Sequence, residues 1–381
     1  MQGFPKRLYL LDFSRGLAAL AVVFSHWKHF YVGISSSAED TPLYFLFSML
    51  FDSGGVAVDY FFCLSGFVFY WKYQAGIRSG EVSTWRFFVA RFSRLYPLHL
   101  ATLLLVCLLQ HYYCVLNGSY FVYQFNDIKH FILNLFFASQ WGMEHGFSYN
   151  GPIWSVSVEI LLYVFFFLSV KYGRFRLCLP MLCALVTFLL CRKLGLSHGL
   201  TKGLMLFNLG GVVFGLVRIV RERFKATACL SLAIGLLVFF LSGYVCTIYL
   251  EEVLRTFGSS GLISKGHYIL LTQFVWVFGL IPATVFFLTN VELSTGWTAK
   301  RIAWVGDITY SSYLLHFPLQ LVAVLLVGVG ILPEEFYMSV YGLVGFFVVL
   351  IYISRLSYRK FELPAQSILR ASMIRKETTK C

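Results

Sequence analysis

An arginine and a histidine share the first apolar run of the chain. Arg15 and His26 lie eleven residues apart, so a helix would place both on one face, separated by about 16 Å along its axis. Asp12 lies near that face. Ionisable groups inside an apolar helix are costly unless they face a partner or a cavity, so they mark a candidate functional site. The alternative is structural: Arg15 reaches the membrane surface beside Asp12, and His26 is a core histidine.

Polar side chains interrupt later apolar runs at a depth similar to that of His26. Asp59, Glu159 and Asn208 each lie about five to seven residues from one end of a run, or roughly 8–10 Å below the same surface. A neutral imidazole oriented by a carboxylate is the pairing that general-base catalysis needs. We therefore predict His26 as the base, with Glu159 or Asp59 orienting it. Structural pairing of the carboxylates with backbone or tyrosine hydroxyls is the alternative.

An arginine pair precedes the third apolar run. Arg91 and Arg94 are three residues apart, so their side chains would project together from a helix and could fork onto phosphate oxygens. Basic residues beside a membrane span also serve topology and anionic lipids, and that alternative stays open.

A polar stripe runs through a late apolar segment. Ser312 and His316 lie at i and i+4, and Tyr310 and Tyr313 precede the histidine. For His316, core packing and contact with a substrate are both open. The residues predicted to bind an acceptor or line a cavity are Asp12, Trp154, Ser157, Asn208, Tyr310, Tyr313 and His316.

These residues must be positioned by membrane helices. The 381-residue chain is 58% hydrophobic and 13% charged, whereas soluble domains carry about 25% charged residues. A helix needs roughly 17–25 apolar residues to span a bilayer. The predicted spans are 11–31, 54–72, 95–115, 152–170, 176–192, 203–220, 226–250, 268–289, 306–330 and 336–354. The shorter segment 127–141 is predicted to be re-entrant or interfacial.

The basic charge fits a membrane topology. With the N-terminus in the cytoplasm, Lys and Arg in cytoplasmic segments outnumber those in external loops by about four to one, as the positive-inside rule requires. The net charge of +13 is therefore topological, and a nucleic-acid partner is not expected. We predict an all-α polytopic bundle with both termini cytoplasmic. It forms one domain, 1–381, whose residues 372–381 are a flexible tail.

Other chemistries lack their signatures. The nine cysteines form no CxxC pair and no Cys/His ligand spacing, so no metal site is predicted. The sequence also contains no glycine-rich phosphate loop, no HExxH and no GxSxG elbow, which disfavours ATP-driven transport and a covalent serine mechanism.

Five short motifs and a typical ending follow one another along the chain. They are Arg15 and His26 within Leu-Asp-x-x-Arg-Gly-Leu, Gly55 to Gly66, the pair Arg91 and Arg94, Gly151 to Glu159, Tyr310 to Pro318, and the ending Phe361 to Pro364. In this order they resemble the acyltransferase-3 family of integral membrane O-acyltransferases. The resemblance covers almost the whole chain and fits the stand-alone form, without an appended SGNH hydrolase domain.

The resemblance implies a reaction. The donor would be acyl-CoA, commonly acetyl-CoA, with no tightly bound cofactor, and His26 would be the catalytic residue. Arg15, Arg91 and Arg94 would bind the donor. The acceptor would be a hydroxyl of a carbohydrate or lipid-linked sugar at the bacterial inner membrane, among membrane lipids. Direct transfer and an acyl-histidine intermediate both fit, and a secondary transporter or flippase is the rival function.

Overall fold

The computed structural model describes residues 4–32, 40–173, 198–256 and 271–378, and the regular elements in these ranges are all helical. The α-helices are α1 Tyr9–Ser25, α2 Tyr44–Asp52, α3 Gly54–Ser79, α4 Thr84–Asn117, α5 Ile128–Leu135, α6 Trp154–Tyr172, α7 His198–Arg223, α8 Ala226–Thr256, α9 Ile281–Thr295, α10 Trp304–Asp307, α11 Thr309–Gly328, α12 Val340–Ser357 and α13 Leu363–Thr378. Short 3-10 segments cover His26–Tyr31, Gly151–Ile153 and Glu334–Met338, and π-helical segments cover Val275–Leu280 and Tyr358–Glu362. The predicted all-α bundle is confirmed.

Eight of the ten predicted spans coincide with helices that are long and apolar enough to cross a membrane. The chain is therefore a multi-pass membrane protein. Its first predicted span is a 17-residue α-helix that continues as the 3-10 segment His26–Tyr31. The predicted span 176–192 lies outside the described residues. Between 127 and 141 the only helix is α5, whose eight residues reach about 12 Å and are too short to cross a bilayer.

Helix α4 begins well before the span that hydropathy predicts. It starts at Thr84, capped by the Ser83 hydroxyl, so Arg91 and Arg94 lie on a helix, as their spacing predicts. The helix begins earlier than the predicted span 95–115 because it extends beyond the apolar run that a bilayer requires. The C-terminal helix α13 likewise lies beyond the last predicted span, 336–354, and reaches Thr378.

Two helices of the bundle, α3 and α7, approach at their glycines. A Cβ atom at Gly66 would lie 1.8 Å from the carbonyl oxygen of Phe207, and one at Gly210 would lie 1.9 Å from that of Cys63. Small residues let membrane helices come this close, because lipid gives helices little hydrophobic reason to associate.

A buried carboxylate holds the start of α1. Glu292 of α9 accepts hydrogen bonds from the backbone N–H groups of Tyr9 and Leu10, at 3.0 and 2.8 Å. The first N–H groups of a helix have no partner within it, and the positive end of the helix dipole favours a negative charge. Glu292 thus fixes the helix that carries Arg15 and leads to His26.

Proline in α11 creates a second anchor. Pro318 has no N–H, so the carbonyl of Leu314, four residues earlier, loses its helical partner. The buried Asn150 amide donates to that carbonyl at 3.0 Å. This bond ties the chain just before α6 to the middle of α11.

Candidate functional site

A cavity of about 130 Å³ lies among helices α1, α3, α4, α6 and α11. We call it the central cavity. Its charged and hydroxyl-bearing lining consists of Arg15, Ser65, Arg91, Arg94, Ser155, Glu159, Tyr163, Thr309, Tyr310 and Tyr313. Apolar side chains, mostly from α3, form the rest of its wall. The three arginines define what we call the arginine end of the bundle.

Arg15 has protein partners and also keeps an unused N–H group. Its Nη2 lies 3.2 Å from the Asp12 carboxylate and donates to the Gly306 carbonyl at 2.9 Å. A Cβ at Gly306 would lie 2.1 Å from the carbonyl oxygen of Asp12, so only glycine lets α10 approach α1 this closely. The Nε of Arg15 is buried without a hydrogen-bond partner in the described structure. The predicted pairing with Asp12 exists, yet one N–H group remains for a ligand.

The predicted arginine pair meets the cavity from α4. Arg91 donates to the Tyr73 hydroxyl, and its guanidinium lies over the rings of Phe69 and Tyr73, 5.2 and 5.0 Å from their centroids. Its Nε is also buried with no partner among the described residues. Arg94 is exposed, and its side chain forms no hydrogen bond or ion pair within the described ranges. Both arginines therefore retain donors for an anion.

The polar layer predicted from depth is divided between different neighbours. Glu159 accepts from the Ser65 hydroxyl at 2.7 Å and lines the central cavity. Asp59 forms an ion pair with Lys202 of α7 at 2.5 Å. The hydrogen-bond partner of the His26 ring is instead His316, so the expected carboxylate is replaced by an imidazole. Equal depth did not give contact because these side chains point in different directions within the membrane plane.

A histidine cluster lies beyond the other end of the cavity. The Nδ1 of His26 is 2.8 Å from the Nε2 of His316, and the two rings stack with centroids 5.1 Å apart. His29 also stacks on His26, with centroids 4.6 Å apart. We call the part of the bundle containing these histidines the histidine end.

A glutamine fixes the tautomer of His29. The amide nitrogen of Gln320 donates to the His26 carbonyl at 2.8 Å, so its oxygen must face the Nδ1 of His29, 3.0 Å away. Because that oxygen only accepts, the Nδ1 of His29 carries the proton. The Nε2 of His29 is then the acceptor for the Tyr123 hydroxyl, at 3.5 Å.

A tyrosine separates the cavity from the histidines. Tyr313 lines the cavity, and its ring centroid is 6.0 Å from that of His316. Its hydroxyl donates to the Pro152 carbonyl and shares a hydrogen bond with the Ser155 hydroxyl, both at 2.8 Å. The central cavity therefore ends one side chain away from the pair formed by His26 and His316.

The other predicted lining residues take different positions. Tyr310 lines the cavity and donates to the Leu95 carbonyl at 2.7 Å. Ser157 is fully buried and accepts from the backbone N–H of Gln140, at 3.1 Å. Asn208 joins α7 to α3 through the Tyr70 hydroxyl, at 3.4 Å.

Trp154 packs against Phe62 and Phe147, with ring centroids 6.3 and 6.4 Å away. Trp154, Ser157 and Asn208 thus lie outside the cavity lining.

Sequence reasoning missed His29, Gln320 and Glu292. A signal existed for two of them, because His29 follows His26 by three residues and Gln320 follows His316 by four, which are the spacings of helical neighbours. Nothing in the sequence pointed to Glu292, whose partners are nearly three hundred residues away. Among the described residues, no group of three His, Cys, Asp or Glu side chains is arranged to hold a metal ion.

The bundle and its internal polar site define a multi-pass helical membrane protein with a cavity between an arginine end and a histidine end. A family model described as an acyltransferase domain matches residues 8–359. The chain therefore belongs to the acyltransferase-3 family, as its motifs predicted.

One relative comes from Rhizobium radiobacter. The protein 2 in picA locus of that organism is 37% identical over 102 residues, which are 27% of this chain and 45% of that protein. The chain thus matches less than half the length of that relative. No solved structure matches the chain.

Proposed function

We propose that this protein is an O-acyltransferase that moves an acyl group, most simply acetyl, from acyl-CoA to a hydroxyl of a carbohydrate or lipid-linked sugar. The observation that carries the proposal is the central cavity itself. It joins arginines with unused N–H groups to a point one side chain from a hydrogen-bonded histidine pair. Acyl-CoA has the matching order of groups: phosphates, a long uncharged arm and a reactive thioester.

The proposal places the arginine end in the cytoplasm of a bacterium, with both termini on that side of the inner membrane. Basic residues beside membrane helices favour the cytoplasm, and acyl-CoA is made there. Arg91 and Arg94 would bind its phosphates through charge-assisted hydrogen bonds. The largely apolar wall of the cavity would surround the pantetheine arm, which passes Arg15 and reaches Tyr313.

His26 would act as the general base. With its Nδ1–H donated to the Nε2 of His316, the Nε2 of neutral His26 is the acceptor, and it makes no hydrogen bond within the described residues. It would remove the proton from the acceptor hydroxyl as that oxygen attacks the thioester carbonyl. When the carbon–sulfur bond breaks, the same proton passes from His26 to the departing thiolate, which leaves CoA and the acyl ester.

The orienting group in this mechanism is His316, in place of the carboxylate first expected. Gln320 supports the arrangement because it holds both the carbonyl of His26 and the ring of His29. The acidic residues would serve elsewhere: Glu159 in the wall of the donor cavity, and Asp59 in the contact between α3 and α7.

Purified protein in nanodiscs tests the proposal. We expect release of the CoA thiol from acetyl-CoA only when a carbohydrate acceptor is present, with one ester formed for each thiol. Transport of the sugar across proteoliposomes without any thiol release would instead support the rival transporter. Mass spectrometry of glycans and glycolipids from cells with and without the protein would identify the acceptor, as the species that loses an ester.

A further inference from the structure

The C-terminal helix runs beside the first turns of α4. After the π-helical segment Tyr358–Glu362, α13 packs along α4 in the opposite direction. The indole N–H of Trp85 donates to the Met373 carbonyl at 3.0 Å, and the Nε of Arg370 donates to the Ser93 hydroxyl at 3.2 Å. The helix thus forms a wall next to the residues that carry the arginine pair.

Arg370 is brought to the arginine end by these contacts. Its Nη2 donates to the Ala90 carbonyl at 3.4 Å, so the guanidinium lies on the stretch of α4 that holds Arg91 and Arg94. Its Nη1 forms no hydrogen bond with any described residue. Lys72, exposed and over the ring of Trp71, adds another positive charge close to Arg91 and Arg94.

Asp12 is paired with Arg15, and two further acidic groups nearby accept from hydroxyls. Glu362 accepts from the hydroxyls of Ser311 and Ser357, the latter at 3.0 Å, and Glu159 accepts from Ser65. Positive side chains crowded together raise the free energy of the empty site unless an anion joins them. A ligand with several phosphate charges meets this requirement, whereas a single carboxylate does not.

We propose that Arg370 is a donor-binding residue which, with Arg94, binds the phosphate groups of acyl-CoA, so that α13 forms one wall of the donor entrance. The inference rests on the proposed function and extends it to a residue beyond the stretch 8–359 that the family model matches. Anionic lipid headgroups also carry phosphate, so the experiment must distinguish the binding of CoA from the binding of lipid.

The affinity of CoA for the full-length protein provides the test. Calorimetry in phosphatidylcholine nanodiscs would compare the wild type with Arg370→Gln, Arg370→Lys and the matched control Arg359→Gln, which removes one exposed charge from the preceding π-helical segment. We expect Arg370→Gln to weaken CoA binding about tenfold, since hydrogen bonds between charged groups are of that strength. Arg370→Lys should restore most of the affinity, and Arg359→Gln should leave it unchanged.

Turnover separates binding from a structural role. If Arg370 binds the donor, Arg370→Gln raises KM for acetyl-CoA while kcat and the thermal midpoint stay near wild type. A fall in kcat and in the midpoint with no change in CoA affinity would overturn the inference and leave Arg370 as a tether of α13. The same comparison in nanodiscs with phosphatidylglycerol tests the lipid source. If Arg370→Gln loses a response to this anionic lipid that the wild type shows, while its CoA affinity is unchanged, the cluster binds lipid and the inference is overturned. A wild type that binds no CoA would refute the proposed function itself.

Discussion

The two ends of the central cavity differ in how many of their polar groups are hydrogen-bonded to one another. At the arginine end, Arg94 is exposed, and Arg15 and Arg91 each keep a buried N–H with no partner in the described structure. At the histidine end, His26 is hydrogen-bonded to both His316 and Gln320, and the Nδ1 of His316 is the buried atom without a partner in the described structure. Buried polar groups are normally paired, so an unpaired donor marks a place where a ligand is expected to supply the partner. The arginine end is built to receive a charged group, and the histidine end is preorganised before any substrate arrives.

This difference predicts which kinetic constant each end controls. Groups that bind the donor equally in the ground and transition states affect KM, while groups that act only as bonds change affect kcat. Substitutions at the histidine end should therefore lower kcat, and substitutions at the arginine end should raise the donor KM.

The largest effect is expected for His26→Ala. Loss of a general base lowers kcat by about 10²–10⁴-fold, while the affinity for CoA should hardly change because binding occurs at the other end. Thiol release and CoA calorimetry on the same preparation would measure both. His111→Ala, an exposed histidine on α4, is the matched control. Full activity in His26→Ala would remove this residue from the mechanism.

The next largest effect is expected for the partner of His26. His316→Leu removes the hydrogen-bond partner of the His26 Nδ1, which in the proposed mechanism accepts its proton. The ring is then free to take the wrong tautomer, so kcat should fall roughly 10- to 100-fold, as for other orienting partners. The donor KM should stay constant. His316→Gln keeps an acceptor oxygen and should recover part of kcat, and the pH profile of kcat should shift. If His316→Leu and His316→Gln have the same kcat, His316 only fills space.

At the arginine end, the double variant Arg91→Gln/Arg94→Gln should raise the donor KM. Each charge-assisted hydrogen bond to phosphate contributes more than a neutral one, so we expect an increase of roughly 10- to 100-fold with little change in kcat. Lys225→Gln, an exposed cation between α7 and α8, is the control. If the CoA affinity of the double variant is unchanged, Arg91 and Arg94 do not bind the donor and serve only membrane topology.

The spans were predictable because bilayer thickness fixes the length of an apolar helix whatever its neighbours are. The same reasoning located Arg15, His26, Arg91, Arg94 and His316 as polar residues in or beside such helices. The depth of each polar residue along the membrane normal was predicted by counting residues from one end of its apolar run. These properties are local, so a sequence expresses them directly.

The directions of the side chains could not be read in this way. Asp59 and His26 lie at similar predicted depths, yet Asp59 pairs with Lys202 on α7 and His26 with His316 on α11. Which helices meet depends on close packing, such as that of Gly66 on Phe207. Glu292 shows the same limit, since its role depends on α9 meeting the start of α1. Such contacts belong to the assembled bundle and not to any one segment.

The smallest effect is expected for Glu292, which supports both ends without belonging to either. Glu292→Gln removes the negative charge at the start of α1 and weakens two hydrogen bonds, so we expect a loss of about 1–2 kcal/mol in the free energy of unfolding. The activity per folded molecule should remain, because Glu292, Tyr9 and Leu10 are not among the residues that line the cavity. Thermal unfolding in detergent, compared with the exposed-site control Glu335→Gln, would measure the change. If Glu292→Gln instead lowers kcat at full stability, the carboxylate positions α1 for the reaction, and the two ends are less independent than the structure indicates.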